Sequence, residues 1–99
     1  MNKYQSKIYE IFRVDGTTEI LVSPDLKAMQ KAVGGYIEYL PQAYLPEGKG
    51  GIDIIVNEEG LIHQLLPNIT ISLVCKGYPV VGDAIVVTEK GVAAFMGDW

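Results

Sequence analysis

Cysteine, histidine and tryptophan each occur once in this chain of 99 residues, and basic side chains are scarce, eight against twelve carboxylates, for a formal charge of −4. The lone Cys75 excludes an intrachain disulfide and suits a reducing compartment. Cys75 and His63 are too few for a conventional zinc site, and no phosphate-loop or calcium-loop motif is present, so neither metal nor cofactor is expected. The lysines are scattered, which removes the sequence-independent grip on phosphates that nucleic-acid binding needs. No apolar run approaches the ~20 residues that span a bilayer. Met1-Asn2-Lys3-Tyr4 also lacks the apolar stretch of a leader. Neither nucleic acid nor membrane is therefore an expected partner, and the cytoplasm is the expected location.

Catalytic parts are equally sparse. Cys75 has only Lys76 beside it to favour a thiolate. His63 falls among apolar residues in a segment, Leu61 to Gln64, that reads as a short strand, so a partly buried structural histidine is expected. Glu58 and Glu59 read as the solvated tip of a turn, where desolvation cannot tune one of them as an acid. The chain is not expected to be an enzyme.

What the chain does have is a well-punctuated α+β pattern, nearly half of its residues being apolar. Lys7 to Val14 alternates, Asp15-Gly16 favours a tight turn, and Ile20-Leu21-Val22 returns, which predicts a hairpin. Ser23 as N-cap, Pro24 at the first helical position and Asp25 at the positive end of the dipole predict an amphipathic helix over about 23–35, with Leu26, Met29 and Val33 on one face. Gly34 and Gly35 stop it, and a strand over Tyr36 to Leu40 follows. The glycine pair admits two readings, a cap with close helix packing or a bare backbone that a ligand can approach.

Pro41 to Gly51 is a loop, either a connection or a lid, and Ile52 to Val56 is a strand ending in the turn Asn57-Glu58-Glu59-Gly60. Ile69 to Cys75 divides between a strand, by its alternation, and a short helix over about 69–76 framed by Asn68 and Gly77. Asp83 to Thr88 and Val92 to Met96 read as a closing hairpin. A single domain over 1–99 is expected: mainly an antiparallel sheet of hairpins packed with the first helix.

The pieces Val33-Gly34-Gly35-Tyr36-Ile37-Glu38, Val56-Asn57-Glu58-Glu59-Gly60, Leu66-Pro67-Asn68 and Val81-Gly82-Asp83-Ala84-Ile85-Val86-Val87 stand in characteristic order. In them the chain resembles family 3846, small phage-associated domains of unknown function, over roughly residues 18–88. The resemblance implies a helix after Pro67-Asn68 and, for a phage-encoded chain, the host cytoplasm.

Such a setting suggests a counter-defence protein that sequesters a nucleotide-derived host immune signal without catalysis. Gly34 and Gly35 would allow close approach, Tyr36 or Tyr44 would stack on a base, and Asn57 and Asn68, with Arg13 or Lys49, would meet polar groups. The alternative is a protein-interaction module that inhibits a host enzyme or assembles as a homo-oligomer, through an exposed strand edge and the apolar stretch Val92 to Trp99.

Overall fold

Two runs of β-branched residues set the architecture. The computed structural model describes residues 7–47 and 51–97. It places the strands β4 (Ile52–Asn57) and β5 (Ala84–Thr88) side by side near the middle of a five-stranded antiparallel sheet, with β1 (Ile8–Phe12), β2 (Thr18–Leu21) and β3 (Ile37–Tyr39) completing the order β2-β1-β5-β4-β3. Because successive side chains point to opposite faces, Ile52, Ile54 and Val56 join Ala84 and Val86 in one core, while Ile55 joins Ile85 and Val87 in another. Burial on both faces is why these two strands read as nearly continuous apolar runs.

The helix α1 (Leu26–Val33) supplies Val33 to the smaller core, with Met29 and Ala32 packed against it. The helices α2 (Ile69–Val74) and α3 (Val92–Phe95) supply Ile71, Val74 and Phe95 to the larger one. Ile71 and Val74 account for a helix in so β-branched a segment, since burial of their side chains outweighs weak helix propensity. Among the described residues, no helix is long and apolar enough to cross a membrane.

Three local expectations are corrected. The cap of α1 is Asp25, whose carboxylate accepts from Ala28 N–H at 2.8 Å, while Ser23 lies two residues earlier at φ 41° and Pro24 precedes the cap. Asp caps as well as Ser and adds the charge the dipole favours. Leu61 to Gln64 is not a strand: the chain closes into successive turns, with His63 N–H donating to Glu59 C=O at 2.9 Å and Leu65 N–H to Gly60 C=O at 3.0 Å. Val92 to Met96 forms no hairpin with β5, because β1 and β4 already occupy both of its edges. Gly91 turns the chain at φ 98°, and Glu10 accepts from Val92 N–H at 2.7 Å, starting α3 instead. The apolar stretch expected as an interface therefore covers the core with Phe95, while Trp99 lies outside the described residues, as does Lys49.

Candidate functional site

The described surface is indented where the β3 end of the sheet meets the turns after β4. Glu38 and Leu40 share a face with Val56 and with Glu58, and the turn residues Gly60, Leu61 and Ile62 form one wall. The segment from Tyr78 to Val81 forms the other, leaving a cleft of about 240 Å³. Its floor is aliphatic, from Leu40, Val56 and Val80. Leu61 and Ile62 stand at its lip with 76% and 75% of their surface in solvent. Among the described residues, Glu38 and Glu58 are its charged lining groups, and no lysine, arginine or histidine lines it. At the Tyr78 end, that ring stacks on Tyr44 with centroids 3.8 Å apart and planes 22° from parallel.

β3 borders this cleft and is also one of the two outer strands of the described sheet. Glu58 N–H donates to Tyr36 C=O at 2.8 Å and Leu40 N–H to Ile54 C=O at 2.9 Å, so the even-numbered residues spend their backbone groups on β4. By the alternation of an antiparallel ladder, the N–H and C=O groups of Ile37 and Tyr39 point outward from the sheet.

Of the residues singled out from sequence, Gly35, Tyr36 and Asn57 are brought together, Asn57 also lines the cleft, and Tyr44 reaches it through Tyr78. Gly34 is the αL cap of α1 at φ 81° and borders a different hollow, with Lys31, Leu66 and Asp83. Gly35 has a packing reason: an added Cβ would lie 2.9 Å from Asn57 Nδ2. Both asparagine amides are engaged within the chain. Asn57 donates to Val33 C=O at 3.1 Å and accepts from Glu59 N–H at 2.8 Å. Asn68 does not line the cleft, although its backbone N–H donates to Val80 C=O at 2.8 Å; its side chain donates to Phe12 C=O at 2.8 Å and Gly82 C=O at 3.0 Å, and accepts from Ile71 N–H at 3.1 Å.

Other candidates resolve differently. Tyr36 is 67% exposed and stands outside the cleft lining. Arg13 pairs with Glu19 at 2.6 Å at the opposite end of the sheet. His63 is exposed on the turn, 3.5 Å from the Glu59 carboxylate one helical repeat earlier, which corrects its expected half-buried place in a strand. Cys75 is buried, and burial pushes its thiol pKa up, the direction that disfavours a nucleophilic thiolate.

Glu38, Leu61, Ile62 and Val80 were not singled out from sequence. Leu61 and Ile62 read in sequence as part of a short strand, so no local signal marked their exposure on a turn.

Among protein-family models, one matches residues 9–96, described as a domain of unknown function (DUF3846). No curated protein and no solved structure matches the chain.

Proposed function

The chain belongs to the DUF3846 family, whose description assigns no activity, and from the geometry we propose that it is a non-catalytic protein-binding module acting through the cleft beside β3. The observation that carries this reading is the combination of an aliphatic floor, two exposed aliphatic side chains at the lip and two carboxylates with no lining cation among the described residues. Apolar anchors with a charged rim are what a protein segment recognises. In the phage setting that the sequence resemblance suggests, the partner is a host protein that binding inhibits.

Sequestration of a nucleotide-derived signal is the second reading, favoured by the Tyr44–Tyr78 ring pair at one end of a cleft large enough for a base. Glu38 and Glu58 would repel its phosphates.

Thermal unfolding against cyclic dinucleotides, ADP-ribose derivatives and NAD separates the two. A ligand at ~100 times its dissociation constant contributes about 2.7 kcal/mol, roughly 10–20 °C for a domain this small. The protein reading expects no shift from the panel, together with a cellular protein retained on the wild type and lost from Leu61→Asp. A shift of that size with release of an intact nucleotide establishes the second reading instead.

A further inference from the structure

We infer that the partner is an extended segment with a lysine or arginine between two apolar residues, added to the sheet as a sixth strand along β3. This rests on the protein-binding reading and specifies its mode and chemistry.

Three observations converge on it. The outward N–H and C=O groups of Ile37 and Tyr39 follow from the inward bonds of Tyr36 and Leu40, and they are the hydrogen-bonding complement of an added strand. Such a strand alternates faces in step with β3. Its residue opposite Glu38 lies on the cleft side, within reach of Glu38 and of Glu58 diagonally beyond, while its neighbours lie on the other face against Ile37 and Tyr39. A cation flanked by β-branched or aromatic residues is the complementary pattern.

The charges also discriminate against a second copy of this chain. The two-fold register that would use the outward groups of both Ile37 and Tyr39 pairs Ile37 with the other copy's Tyr39 and sets Glu38 directly opposite its own equivalent, two carboxylates on non-hydrogen-bonded positions about 4.5 Å apart at Cα. The other sheet edge, β2, differs. Its Glu19 is neutralised within the chain by Arg13 at 2.6 Å, whereas neither Glu38 nor Glu58 is ion-paired with a described residue. A strand edge whose carboxylate has no cationic partner among the described residues resists self-association and selects a cationic guest.

The test uses a blocked seven-residue peptide of alternating valine and lysine, the same peptide with glutamate in place of lysine, and a version of the lysine peptide N-methylated on alternate amides. Backbone NMR and amide exchange of the full chain are recorded with each. The lysine peptide is expected to shift the Ile37 and Tyr39 amides and slow their exchange at least tenfold. The glutamate peptide is expected to bind about tenfold more weakly or not at all, and N-methylation of the edge-facing amides to abolish binding. Glu38→Lys, an exposed position, is expected to reverse the charge preference. Equal binding of the two peptides, or no protection of Ile37 and Tyr39 at millimolar peptide, overturns the inference. A cellular partner that still cross-links from Ile62 after such a result leaves the protein-binding reading standing; cross-links confined to other surfaces defeat both.

Discussion

Replacing Asn68 with alanine should cost a large share of the stability of this domain, although its side chain does not line the cleft. Its side chain is 1% exposed and makes three hydrogen bonds to backbone groups from three segments: Phe12 at the end of β1, Gly82 before β5 and Ile71 in the first turn of α2. Loss of an N-cap costs about 1 kcal/mol. Two carbonyls left without their donor cost roughly 1–3 kcal/mol each, with Phe12 C=O at the low end because it is part-buried. The sum is about 3–5 kcal/mol, against 5–15 kcal/mol for a typical domain, and corresponds to a fall in melting temperature of roughly 12–40 °C. Asn68→Asp sharpens the test, because it keeps the oxygen that caps α2 but replaces the donor with a second acceptor facing two carbonyls. It should be at least as unstable as the alanine variant. Thermal unfolding followed by circular dichroism measures both. A melting temperature within about 5 °C of wild type for either variant would refute the view that this amide ties the sheet to α2, and would return Asn68 to the list of ligand contacts.

Gly35→Ala should lose about 1–3 kcal/mol in the same assay, because its Cβ meets Asn57 Nδ2 at 2.9 Å and displaces the amide from Val33 C=O. Pairing it with Asn57→Ala, which removes the obstacle, should recover part of that loss, and strict additivity would argue against the contact. Phe95→Ala should cost about 3–5 kcal/mol, since the ring is buried in the larger core. Truncation after residue 94 should accordingly unfold the chain, and a truncated form that melts like wild type would show α3 to be dispensable. Native Cys75 should resist iodoacetamide at neutral pH and react at the rate of unfolding, because its thiol is buried with its pKa raised. That raised value also sets a sign: the stabilising contribution of the neutral thiol is present below the ordinary cysteine range and lost as pH rises through the folded-state value. Cys75→Ala should flatten the alkaline limb of the stability curve.

The elements most legible in the sequence were those whose local chemistry and tertiary setting agree. Asp15-Gly16 turns the first hairpin, with Gly16 at φ 89° and the Asp15 carboxylate accepting from Thr17 N–H at 2.9 Å. The α1 segment and its glycine stop were legible because apolar spacing and an αL residue coincide, although the cap is Asp25 and not Ser23. Ile69 to Val74 was undecidable from pattern, since its alternation fits a strand and only the buried environment of Ile71 and Val74 selects a helix. Val92 to Phe95 failed as a strand for a reason no local window contains, namely that both edges of β5 were already taken.

The site was less legible than the fold. Asparagines and glycines drew attention as ligand-contact types, yet Asn57, Asn68 and Gly35 are tied up by the chain itself. The cleft depends on Glu38, on Leu61 and Ile62, and on Val80, which come from three separated segments and are ordinary in type. Their significance comes from juxtaposition. The exposure of two adjacent aliphatic residues on a turn became visible only when that segment proved to have no strand to pair with.

The central claim, that the cleft beside β3 holds a protein partner, is tested most directly by site-specific photo-cross-linking in cells that express the full chain. A benzophenone side chain is placed at Ile62 on the lip or at Lys27 on the exposed side of α1. The account predicts a discrete cross-linked protein from position 62, absent from position 27 and competed away by unlabelled wild type but not by Leu61→Asp. Equal cross-linking from both positions, or none from position 62 together with a nucleotide recovered intact from the purified chain, would contradict it.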